Sequence, residues 1–142
     1  MGSKFDATGA SIPTATLAVR GGVAAVLSLV VNGVLLGIVL TVDLVATFDA
    51  LSIPPVAGLT VLGVVGASVV YGFLTGRVDD PDRTFIIVAA VVLVLSFVPT
   101  GSLLAFDDDA VVGGVVVLMI MHVVVAAVCV WALTDRYSPI AR

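Results

Sequence analysis

The chain alternates four long apolar runs with short polar breaks. The runs cover 21–40, interrupted only by Ser28 and Asn32, then 56–74, 84–106 and 110–133. A helix needs about 20 apolar residues to cross roughly 30 Å of hydrocarbon, and each run meets that length. The runs are rich in valine, a strand former in water, but within lipid every backbone N–H and C=O must be paired inside the segment or in a closed barrel. Four continuous, non-alternating runs are too few for a barrel and lack its period of two. The pattern therefore predicts an all-α polytopic membrane protein, a single four-helix transmembrane bundle spanning the chain 1–142. The first run is longer than the apolar region of a signal peptide, and no clean small-residue cleavage site follows it, so it reads as a span.

The breaks carry their own signals. Residues 1–16 are polar and small, and read as an arm. Asp43, Asp49 and the Pro54-Pro55 pair interrupt the chain between the first two runs. Leu44, Val45, Phe48 and Leu51 recur there at helical spacing, which predicts a short interfacial helix over 43–52. The stretch Arg77-Val78-Asp79-Asp80-Pro81-Asp82-Arg83 is a turn in which Asp82 is the expected cap of the third helix. Pro99 lacks a backbone donor, so a kink or break is expected there. Asp107-Asp108-Asp109 is expected to open the fourth helix, its carboxylates capping free N–H groups at the positive end of the dipole.

Composition and charge sharpen this picture. Of 142 residues 61% are hydrophobic and only 11% charged, far from the quarter or so that is charged in soluble domains. All ten acids are Asp, Lys4 is the only lysine and the net charge is −4. That balance excludes nucleic acid as a partner, since phosphate binding needs a basic face, and it resembles membrane proteins of salt-loving microbes. The six basic residues (Lys4, Arg20, Arg77, Arg83, Arg136 and Arg142) fall in the N-terminal arm, the middle break and the C-terminal tail. Four spans bring those three places to one side, and the positive-inside rule makes that side cytoplasmic. Both termini are thus expected in the cytoplasm, with the protein in the plasma membrane. Tyr71, Trp131 and Tyr137 fall near that boundary, where aromatic belts sit.

Lipid tails are as apolar as valine, so helices in a membrane associate through close backbone approach at small residues and a few polar contacts. Gly33 and Gly37 in the first span, and Ser68, Gly72 and Gly76 in the second, are the candidate packing positions. Candidate chemistry lies at the midplane. His122 is the only histidine, and counting inward places Asn32 and Ser96 at a similar depth, so Asn32, Ser96 and His122 form a candidate polar cluster. Two roles are open to it: an ionisable site, or a neutral imidazole satisfied by Asn32 and Ser96 that fixes helix positions. The single Cys129 cannot make an intrachain disulfide and reads as a small buried hydrophobe. Neither a metal nor a cofactor is expected, and no catalytic motif occurs.

Pro81, Arg83 and Phe85 at the third span, Leu95-Ser96-Phe97-Val98-Pro99 within it, and Leu118, Met121-His122 and Ala126 in the fourth together resemble a family of small uncharacterised four-span membrane proteins of bacteria and archaea. The resemblance covers about Arg20 to Leu133 and implies no activity. The leading expectation is a non-enzymatic accessory or assembly subunit in the lipid bilayer, as a homo-oligomer or with a partner membrane protein. The alternative is a channel or carrier for a small solute that uses the midplane cluster. A haem- or quinone-binding subunit is the third reading.

Overall fold

A computed structural model describes residues 11–42 and 48–135. The chain there is helical, with α1 at Thr14–Val42, α2 at Ile53–Thr75, α3 at Pro81–Phe106 and α4 at Val112–Leu133, and a single 3₁₀ turn at Asp49–Leu51. All four helices are long and apolar enough to cross a membrane, which marks a multi-pass membrane protein. α1 lies between α2 and α4 and packs on both, whereas α3 leans mainly on α4 and less on α2. Only Phe85 and Thr100 of the 26 residues in α3 are buried.

Several boundaries differ from the expected ones, each for a physical reason. α1 begins at Thr14, inside the expected arm, because Arg20 does not mark a water boundary. Its side chain is 1% exposed and turned into the bundle. The 29 residues of α1 measure about 43 Å at 1.5 Å each, longer than the hydrocarbon is thick, so the helix projects or tilts. Pro54 and Pro55 fall in the first turn of α2, where a missing N–H costs nothing.

Asp82 does not cap α3. Pro81 takes the first helical position, which makes Asp80 the cap, its Oδ1 accepting from Arg83 N at 3.0 Å. The acidic triplet does not cap α4 either. Asp107 closes α3, and its Oδ1 accepts from Asp109 N at 3.1 Å, a carboxylate used within the turn. Val111 precedes α4 without a side-chain cap bond. Residues 43–47 of the expected interfacial helix lie outside the described residues. The rest is the 3₁₀ turn, and Phe48 and Leu51 are buried inside the bundle rather than laid on a membrane surface.

α3 runs through Pro99 to Phe106 in place of the expected break. A break would orphan several backbone groups in an apolar medium, whereas one proline removes a single donor. Side chains also dress this stretch: Thr100 Oγ1 donates to Ser96 O at 2.8 Å and Ser102 Oγ to Pro99 O at 2.7 Å.

Two apolar clusters fill the bundle. One, toward the end carrying Arg20, Arg77 and Arg83, contains Ala24, Val64, Tyr71, Phe85, Cys129, Ala132 and Leu133. The other, at the opposite end, is built from Leu36, Val39, Phe48, Leu51, Val115, Leu118 and Met121. Gly114 admits the second cluster's Phe48, since an added Cβ would stand 2.5 Å from the ring. Ser68 and Gly72 face α1, where a Cβ on Gly21 would meet Ser68 Oγ at 2.7 Å and one on Gly72 would meet Leu17 Cδ2 at 2.6 Å. A Cβ on Gly76 would reach Ser11 Cβ only at 4.0 Å, and Gly33 and Gly37 have open space.

A polar latch joins all four helices at the basic end. Arg20 Nη1 donates to Leu133 O at 2.9 Å and to Asp135 Oδ1 at 2.6 Å. Asp82 Oδ1 accepts from Tyr71 Oη at 2.7 Å and from Asp135 N at 3.1 Å. Tyr71 is buried and stands edge-on to Phe85 at 5.2 Å; it is an anchor inside the bundle rather than part of a lipid-facing belt. Trp131 is exposed, and Tyr137 lies outside the described residues. Asp135 is 65% exposed, so most of the latch's worth is the buried guanidinium's need for acceptors. Arg20→Ala is expected to lower unfolding free energy in detergent by about 2–4 kcal/mol and Asp135→Ala by under about 1 kcal/mol. Circular dichroism during thermal or SDS titration reads the difference, and equal losses would put the latch's strength in the ion pair instead.

Candidate midplane polar site

Between the two apolar clusters lies a layer of polar side chains. Asn32 on α1 is 1% exposed and its Nδ2 donates to Thr60 Oγ1 on α2 at 3.1 Å. The Asn32 Oδ1 atom is buried with no hydrogen-bond partner among the described residues, and so is Ser28 Oγ one turn away on the same face of α1. Most buried polar atoms in folded proteins are satisfied, because an orphan costs about 1–3 kcal/mol. Orphans here are therefore a feature to be explained.

His122 on α4 has its Nδ1 2.7 Å from Leu118 O. A carbonyl oxygen only accepts, so Nδ1 carries the hydrogen, and in the neutral ring Nε2 presents its lone pair. The described residues provide no partner for Nε2. Ser96 on α3 donates to Leu93 O of its own helix at 2.7 Å. No hydrogen bond joins any two of Asn32, Ser96 and His122, so the arrangement in which Asn32 and Ser96 satisfy the imidazole is absent; His122 bonds to its own helix instead.

What links these residues is space. A cavity of about 110 Å³ between α1, α2 and α4 has Asn32, Thr60 and His122 in a wall otherwise made of Ala50, Val56, Leu59, Gly63, Leu118, Met121 and Val125. Leu59 is 63% exposed on the outside of the bundle, so the cavity adjoins the lipid-facing surface. A second cavity of about 370 Å³ between α2, α3 and α4 includes Ser96 and His122 in its wall. Gly63, His122 and Val125 belong to both walls. Asn32 and Ser96 thus fall in the walls of different cavities, with His122 in both. A third recess, beside Gly33 and Gly37, also has Asn32 in its wall.

The profile of a family of unknown function, DUF6069, matches residues 7–139. The chain belongs to that family. Comparison with curated proteins and with solved structures finds no match. The family brings no activity to the site, so the chemistry of the site has to be argued from its atoms.

Thr60 is the member of the site that sequence reasoning missed. Threonine is routine in membrane helices, where its hydroxyl commonly bonds its own backbone. Depth counted from the acidic ends does not single it out either, because the two counts differ by about 5 Å. Thr60 is about 10 Å along α2 from Ile53 and Asn32 about 15 Å along α1 from Val42, at 1.5 Å per residue. Among the described groups of three or more His, Cys, Asp and Glu, none could hold a metal ion.

The orphan acceptor makes a stability test available. Thr60→Val leaves the Asn32 amide without its acceptor and is expected to cost about 1–3 kcal/mol. Asn32→Leu removes both the bond and the orphan, with Thr60 turning its hydroxyl to a carbonyl of its own helix, and is expected to be neutral within about 0.5 kcal/mol or stabilising. Unfolding in detergent measures both, and a loss above about 1.5 kcal/mol for Asn32→Leu would make Asn32 a helix-packing group.

Proposed function

We propose that this chain binds a small uncharged molecule within the bilayer, in the cavity framed by Asn32, Thr60 and His122. The observation that carries this reading is a cavity with Asn32, Thr60 and His122 in its wall, beside an Asn32 Oδ1 that has no hydrogen-bond partner among the described residues. Asn32 already joins α1 to α2 through Thr60, but that bond uses only its amide N–H and leaves its oxygen to be accounted for. For scale, an apolar cavity of about 150 Å³ holds one benzene, so a one-ring molecule would fill this space of about 110 Å³ and extend from it on the lipid-facing side beside Leu59.

Binding suits this geometry better than conduction. A channel needs a continuous polar path, and apolar clusters lie on either side of the polar layer. A charged ligand is disfavoured because bringing a charge to the bilayer centre costs at least about 2.5–3.5 kcal/mol, and no described carboxylate lines the cavity. By the positive-inside rule we read the basic end as cytoplasmic, which puts the latch on that side.

The full-length protein in lipid nanodiscs, titrated with benzene, anisole, phenol and benzamide, tests the proposal through the ¹⁵N and ¹³C signals of the His122 ring. At least one compound is expected to shift them saturably. Gly63→Leu, which fills the space and leaves every hydrogen-bonding group in place, should abolish the response. Shifts that grow in proportion to partition into lipid, without saturation, would remove the proposal.

A second reading, lateral association with another membrane protein or a second copy, is favoured by one observation. Gly33 and Gly37 are four apart on α1 with nothing within 4 Å of an added Cβ, so a second helix could approach the backbone there. Native mass spectrometry in mild detergent should then show a complex that Gly37→Leu disperses, and a monomer at every detergent ratio would end that reading.

A further inference from the structure

The hydrogen-bonding inventory of the cavity narrows its ligand. Asn32 Nδ2 is committed to Thr60, and His122 Nδ1 to Leu118 O. What remains are two acceptors, Asn32 Oδ1 and His122 Nε2, both without partners among the described residues. Thr60 supplies one donor. Its Oγ1 receives the Asn32 bond, and its own hydrogen is not spent on its helix. The hydroxyls of Ser68, Thr75, Thr84, Ser96 and Thr100, in contrast, all bond carbonyls of their own helix or its cap. The rest of the wall is aliphatic, glycine or thioether.

We infer that the ligand is an uncharged, largely apolar alcohol or phenol, whose O–H donates to Asn32 Oδ1 or His122 Nε2 and whose oxygen accepts from Thr60. This deepens the proposed function and rests on the same cavity. A hydroxyl is a small group that both gives and takes a hydrogen bond, so it meets Thr60 and one of the two acceptors. An ether or ketone only accepts, and would leave both orphan acceptors unmet. By this logic the site would take the reduced diol of a quinone and not the quinone. A phospholipid is ruled out by its head group, whose charge would have to lie at the bilayer centre. A hydrophobic remainder has room to extend past His122, since the larger cavity shares Gly63, His122 and Val125 with the smaller one.

The nanodisc titration discriminates these classes. Phenol is expected to bind at least tenfold more tightly than anisole or benzene, about the worth of one net hydrogen bond. Asn32→Leu, read through the His122 ring, and His122→Phe, read through the methyl signal of Met121 in the same wall, should each reduce that preference, while binding of benzene stays within about twofold. If anisole or benzene equals phenol, or if benzamide binds more tightly than phenol, the hydroxyl inference is overturned while the cavity remains a binding site. If none of the four saturates, water alone occupies the cavity and the proposed function falls together with the inference. A phenol preference that is unchanged in both Asn32→Leu and His122→Phe would also overturn it. Circular dichroism of each variant in the same nanodiscs confirms that a lost preference does not reflect a lost fold.

Discussion

The geometry of this bundle depends on one buried guanidinium. Burial cannot drive association between helices that face lipid as apolar as themselves, so the register of one helix against another must come from specific polar and steric contacts. Arg20 is always charged and is almost wholly shielded in the structure, which obliges it to find acceptors. It finds Leu133 O, a carbonyl left free at the last turn of α4 and at the negative end of that helix's dipole, and Asp135 just beyond. Asp135 N and Tyr71 then converge on Asp82, so α2 and α3 are tied to the same point. The latch also sets height at the midplane. Asn32 is about 18 Å along α1 from Arg20 and His122 about 16 Å along α4 from Leu133, so a charge interaction near one membrane face brings these two polar residues level.

The number and type of the helices could be read from the sequence because lipid leaves the backbone few choices. Valine-rich runs of this length have no alternative but helix once water is absent. The helix ends were less readable because the local contest was between neighbouring groups of the same chemistry. Asp80 and Asp82 are both adequate caps, and the proline between them decided the matter. In the acidic triplet, a carboxylate satisfied its own turn before it could serve the next helix. Arg20 was misleading for a deeper reason. Charge counting assumes that an arginine marks water, and this one marks the interior instead, through an aspartate in what read as a tail.

The midplane was half readable. Asn32 and His122 stand out as polar breaks in apolar runs, and depth along a helix follows from residue count. Direction around the helix does not, and that is where Ser96 parts from Asn32: the two fall in the walls of different cavities, with His122 in both. Nor does composition say whether a hydroxyl will bond its own helix. Ser96 does and Thr60 does not, which makes one a bland helix position and the other part of the site.

The distribution of order along the bundle axis supports a binding role over a purely structural one. The basic end is closed by the latch and by Tyr71 against Phe85, and the other end by Phe48 seated over Gly114 and by Leu51. The layer between them contains the described buried orphans, Asn32 Oδ1 and Ser28 Oγ, at a cost of about 1–3 kcal/mol for each such atom. Local rules of satisfaction are broken in the one layer where neither end of the bundle needs them broken. Departures of that kind concentrate at functional sites. The Asn32 amide N–H has a use in joining α1 to α2 through Thr60, and it is the oxygen of the same side chain that the proposed binding role would employ.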